Sequence, residues 1–210
     1  MKKTIFILLL LLITISVANA NSTPAVSWTE LLHSETWPLV TLGYSFTVGN
    51  IPVVVTDLGY YDENGDGLQK DHLVGIWDNS GNLLGSTTVL AGNKNLDGKY
   101  RYQSLSKSII LETNTTYVIG GQANYEAVGR SGIIKGLEIN PLLSSLGTKS
   151  LYTYGAALNL PTKNHWEGPI YAGPNFKLEA VPEPSTLLGF GTALMVGAPG
   201  MVGWIRRRRS

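Results

Sequence analysis

From residue 40 the chain alternates apolar with small or polar side chains. Val40-Thr41-Leu42-Gly43-Tyr44-Ser45-Phe46-Thr47-Val48 puts every second residue on one face, the period of a half-buried strand. Gly49-Asn50 turns it, and residues 53–61 read as a second strand. A polar, glycine-rich loop covers 62–71, and 72–78 is a third strand. Asn79-Ser80-Gly81-Asn82 is a strong turn signal, so 83–91 returns as a hairpin partner. After a Gly/Asn/Asp loop at 92–98 come strands at 100–105, 108–111 and 116–124, with 112–115 as the last turn between them. Strands at 151–156 and 170–178 complete the series. Residues 129–150 show no clear period and read as a long loop or a short helix. Residues 21–37 read as an N-terminal arm with Trp28 and Trp37 as anchors. No stretch from 21 to 181 carries a helical stripe, and turn signals recur roughly every 8–12 residues. The expectation is an all-β fold, an antiparallel β-sandwich of jelly-roll or immunoglobulin-like topology.

The two ends follow other rules. Lys2 and Lys3 precede an apolar run at 5–17, and Ala18-Asn19-Ala20 is a small-x-small cleavage site. Residues 1–20 therefore read as a signal peptide with a helical core, cleaved after Ala20. At the other end, Leu187 to Ile205 is 19 residues without a charge. At about 1.5 Å per residue, such a helix spans roughly 28 Å, close to a hydrocarbon core of about 30 Å. Its glycines and Pro199 would weaken a helix in water and are better tolerated in lipid. Arg206, Arg207, Arg208 and Arg209 form a basic stop that holds the C-terminus in the cytoplasm. The chain thus divides into a signal (1–20), an exported domain (21–180) and a tail (181–210). The tail comprises a polar motif (181–186), one transmembrane helix (187–205) and the arginine run (206–209). Export of this kind implies a Sec-type machinery, a signal peptidase and the inner membrane as partners.

Charge and cysteine content narrow the classes. The formal charge of +1 is carried by the two ends; between 21 and 181 acidic side chains outnumber basic ones. No basic footprint for nucleic acid remains. With no cysteine, an exported domain has no disulfide, and thiol catalysis and thiolate metal sites are excluded.

Three groups of residues carry candidate chemistry. Asp62, Asn64 and Asp66 place oxygens at alternate positions with Gly67 sixth, and Leu68 adds a carbonyl; this resembles the start of a calcium loop. The glutamate required at the twelfth position is absent, since Leu73 stands there, and Asp71 is the nearest substitute. A β-turn loop rich in Asp, Asn and Gly is the competing reading. Gly129-Arg130-Ser131-Gly132 falls short of a nucleophile elbow, and His33, His72 and His165 lack metal-ligand spacing, so no enzyme is expected. The many tyrosines and tryptophans offer faces for sugar rings. Tyr100 and Tyr102 share a strand face beside the 92–98 loop and are the carbohydrate candidates.

The sequence Val181-Pro182-Glu183-Pro184-Ser185, the apolar segment 187–205 and the arginines 206–209 closely resemble the PEP-CTERM sorting signal of Gram-negative bacteria. The resemblance implies recognition by a membrane-embedded exosortase that cuts near Pro182, Glu183 and Pro184 and passes the product to the cell surface or matrix. It also implies an association with exopolysaccharide and biofilm. The middle of the chain is similar to the DUF4082 family of secreted bacterial β-sandwiches, through Leu42-Gly43-Tyr44-Ser45-Phe46, residues 75–84 and Thr115-Thr116-Tyr117-Val118-Ile119-Gly120. The expected role is non-enzymatic, structural or adhesive; the alternative is a carbohydrate-binding module, calcium-stabilised if the 62–71 loop binds the ion.

Overall fold

The alternation at 40–48 becomes a nine-residue strand whose inward residues Val40, Leu42, Tyr44, Phe46 and Val48 are fully buried. The computed structural model describes residues 21–129 and 133–181. Ala18 and Ala20, the Pro182-Glu183-Pro184 motif, the segment 187–205, Arg206 to Arg209 and residues 130–132 lie outside the described residues. Among the described residues no helix is long and apolar enough to cross a membrane.

The described residues form, in order, β1 (Thr23–Pro24), β2 (Val26–Ser27), β3 (Glu30–Leu31), β4 (Glu35–Thr36), β5 (Val40–Val48), β6 (Val53–Tyr61), β7 (His72–Trp77), β8 (Leu83–Val89), β9 (Leu96–Asp97), β10 (Tyr100–Leu111), β11 (Thr116–Gln122), β12 (Ala127–Val128), β13 (Ile134–Lys135), β14 (Glu138–Ile139), β15 (Leu143–Leu146), β16 (Lys149–Tyr154), β17 (Lys163–Glu167) and β18 (Pro174–Ala180). One sheet runs β1-β18-β6-β10-β9. The other runs β17-β16-β5-β11-β7-β8, with β15 also on β5. Every pairing between these strands is antiparallel. The fold is therefore all-β and sandwich-like. Phe46 of one sheet meets Phe176 of the other at 4.6 Å between ring centroids, and Tyr60 stacks on His72 at 3.9 Å and 11°. Burying each such side chain contributes roughly 1.5–3 kcal/mol. Gly43 lets β5 lie close against β11, because a Cβ there would fall 1.9 Å from the Ile119 carbonyl oxygen.

The strands depart from the sequence pattern at four places. The strands expected at 100–105 and 108–111 are one strand, β10, whose register slips between Ser104 and Ile109. Its exposed middle, Ser106 to Ser108, carries no apolar alternation, so the pattern breaks where the backbone does not. Residues 129–150 hold short strands, with no α-helix among those described. Their partner is the N-terminal arm: β2, β3 and β4 pair with β14, β13 and β12 in an irregular antiparallel ribbon. The edge strand β17, pairing only with β16, has no period that would announce it. The last strand begins at Pro174 rather than 170.

Strand pairing also orders the two ends of the sandwich. Thr23 lies opposite Leu178, and the Val181 amide donates to the Pro52 carbonyl at 2.9 Å. The start of the arm and the end of β18 therefore leave the sandwich side by side, next to the β5–β6 turn. The opposite end carries the loops around 36–39, 62–71, 90–99, 123–129 and 155–162.

Candidate functional site

The calcium-like loop is organised by a protein cation. Asp62 is buried at the end of β6 and receives the Arg101 Nε at 2.6 Å; both side chains are almost fully shielded, at 2% and 3% exposure. Asp62 also accepts the Gly65 amide at 3.1 Å and the Gly67 amide at 3.0 Å. The remaining nitrogens of Arg101 donate to the carbonyls of Lys94 (3.0 Å) and Gly65 (2.9 Å). A guanidinium thus occupies the centre that a calcium ion would need, holding a carboxylate and two carbonyls. Asn64 and Asp66 are exposed, and Asp71 Oδ1 accepts the Ala91 amide at 2.7 Å. Among the described residues no three histidine or acidic side chains gather as a metal would require. Of the set Asp62, Asn64, Asp66 and Asp71, the one buried carboxylate, Asp62, already neutralises Arg101.

Tyr100 and Tyr102 are likewise not an open sugar platform. They are 3% and 5% exposed. The Trp28 indole donates to the Tyr100 hydroxyl at 3.0 Å, and that hydroxyl donates to the Ala172 carbonyl at 3.3 Å. Tyr102 lies over Gly59, where a Cβ would meet its ring at 2.6 Å, and Lys177 Nζ covers it at 4.6 Å. Burial pushes both phenols well above their ordinary range. For Tyr61, burial together with Glu63 and Asp62 raises the phenol to about 12. These rings are core, and Trp28 pins the N-terminal arm to them.

The aromatic surface that remains open lies elsewhere. Tyr152 and Tyr154, two apart on β16, share a face and meet at 5.4 Å. His165 of β17 meets Tyr152 at 5.3 Å and 83°, and meets Trp37 at 5.4 Å and 88°. Beneath them the buried Tyr171 hydrogen-bonds His165 Nδ1 through its hydroxyl and touches Trp37 at 6.2 Å. The Trp37 indole donates to Glu35 Oε2 at 3.4 Å. Lys163 Nζ lies 6.0 Å from the centre of the Tyr152 ring. Tyr154 is 56% exposed; Trp37, Tyr152 and His165 are half-buried. Beside this row runs an open groove of ≈ 640 Å³ lined by residues 33–38 and His165.

The groove belongs to the loop-rich end of the sandwich. The Trp37 carbonyl accepts the Tyr125 amide at 2.9 Å. Tyr125 is also 56% exposed, with Lys70 Nζ 5.3 Å above its ring, and its φ of 67° lies in the left-handed region. The alternation Tyr152-Thr153-Tyr154 was visible in the sequence and marks two rings on one face. Their convergence with Trp37 and His165 was not, since it depends on the unannounced strand β17 and on the arm ribbon.

The described residues thus form an antiparallel, sandwich-like β fold with an aromatic groove at one end and Thr23 and Val181 at the other. The family model described as a domain of unknown function (DUF4082) matches residues 26–172, more than half of the chain, and the protein belongs to that family. No similar protein was found among curated proteins.

Proposed function

We propose that this chain is an exported, non-catalytic surface or matrix protein with an adhesive or structural role among extracellular polysaccharides. In this reading the signal helix at 1–20 directs export, and 187–205 crosses the inner membrane with Arg206 to Arg209 inside. An exosortase of a Gram-negative cell then acts at Pro182, Glu183 and Pro184. The observation that carries the reading is the shared exit of the two ends. Thr23 pairs with Leu178, and Val181 is tied to Pro52 immediately before the Pro-Glu-Pro motif. A domain anchored there turns its loop-rich end away from its anchor. Pro182 and Pro184 deny the next residues ladder hydrogen bonds, which favours an extended strip accessible to a processing enzyme.

The test is the mature C-terminus. Mass spectrometry of the native protein should find it cut close to residues 182–184, and Glu183→Ala should accumulate in the inner membrane with its tail attached. Normal maturation of that variant would refute the sorting step. The aromatic groove favours a second reading, a carbohydrate-binding module within the exopolysaccharide.

A further inference from the structure

We infer that the groove lined by residues 33–38 and His165, with Tyr152 and Tyr154 at its side, is a binding site for a neutral polysaccharide chain. The inference rests on the export reading only for where such a polymer would be met. Sugars are amphipathic in the sense these side chains require. Their C–H faces pack against aromatic rings, while their hydroxyls need donors and acceptors at the edge. The groove offers both. Tyr154 and Trp37 present open ring surface, and Glu35 and His33 line the adjoining wall. The groove is open to solvent rather than enclosed, which suits a polymer better than a sequestered small molecule. Across the domain acidic residues outnumber basic ones, which disfavours polyanionic chains.

The rings are also prearranged. Tyr152, His165 and Trp37 meet edge to face, and Tyr171 supports His165 and Trp37 from the core. Little side-chain freedom is left to lose on binding, which favours affinity. Tyr125 supplies an independent observation. A tight turn closes from the Glu126 amide to the Ala123 carbonyl at 2.8 Å, with φ of 44° at Asn124 and 67° at Tyr125. Such turns favour Asn followed by Gly. An exposed tyrosine held there against its backbone preference, bonded through its amide to Trp37, marks strain retained at the same end of the molecule.

Affinity electrophoresis of the full chain in detergent, through gels containing mannan, xylan, β-glucan, galactan or alginate, tests the site. At least one neutral polymer should retard the protein, and alginate should not. Tyr154→Ala, at a side chain too exposed to be needed for folding, should weaken retardation about three- to tenfold, the range expected for one stacked ring. Trp37→Ala should weaken it further, and Ile110→Ala, on another exposed surface, should leave it unchanged. Four results would overturn the inference: no retardation by any neutral polymer, retardation by alginate alone, retardation unaltered in both aromatic variants, or capture of a proline-rich peptide instead. Retardation is independent of C-terminal processing, so failure here leaves the sorting reading standing, and failed sorting leaves the groove standing.

Discussion

Tyr125 is held at positive φ, in a region that costs an ordinary residue roughly 1–2 kcal/mol. Its compensation within the protein is slight, since an exposed cation–π contact such as that with Lys70, 5.3 Å away, contributes about 0.5–1 kcal/mol. Tyr125→Gly should therefore stabilise the domain by about 0.5–1 kcal/mol in urea titration, even after the entropic cost of glycine. The same variant should bind polysaccharide less well. A loss of stability would show that the turn is not strained. Nothing in the dipeptide Asn124-Tyr125 announces this conformation; only the observed φ angles do. Gly43 is the opposite case, because a glycine inside a strand pattern already signals close backbone approach.

At the scale of elements, Arg101 reaches out of β10 to fasten the segment after β6 and the loop before β10. Removing one partner of a buried ion pair costs about 3–5 kcal/mol. Arg101→Met should lower stability by that amount, and Arg101→Lys should recover only part of it, since an ammonium cannot reproduce the planar fork. Equilibrium denaturation measures both. Millimolar calcium should leave the wild-type melting temperature unchanged, because the carboxylate that would bind it is engaged. The sequence advertised the acidic loop correctly and misled about its counter-charge. Arg101 is 39 residues from Asp62 and sits in an ordinary strand phrase, where only the β6–β10 register brings the two together. Long strands such as β5 and β6 were legible residue by residue, because one buried face imposes a period of two. The two-residue strands of the arm and the edge strand β17 were not, since pairing without a continuous buried face leaves no period to read.

At the scale of the whole molecule, His72 joins the two sheets. Its ring stacks on Tyr60, its Nδ1 donates to the Gln122 carbonyl at 2.7 Å, and its Nε2 has no partner within the described protein. Burial lowers its pKa from the ordinary value of 6.5, against smaller opposing effects of the Gln122 carbonyl and Asp71. The folded state therefore resists the proton that the unfolded chain accepts. Stability from this group is present above pH 6.5 and is lost as pH falls through that value, until the depressed pKa is also passed. Denaturation midpoints between pH 7.5 and 5 should fall, and the fall should be shallower in His72→Phe, despite that variant's lower stability at neutral pH. The groove is the feature least legible from sequence at this scale. Trp37 follows β4, Tyr154 ends β16 and His165 lies in β17, and only the sheet order and the arm ribbon bring the three together.

The side-by-side departure of Thr23 and Val181 from the sandwich also fixes how the domain bears load. When it is held by its C-terminal end and tugged at the far loops, tension runs lengthwise along β18. The ladder joining β18 to β6 is then sheared, so its backbone hydrogen bonds resist together instead of parting one after another. A grip taken at the Trp37 groove would pull in that strong direction.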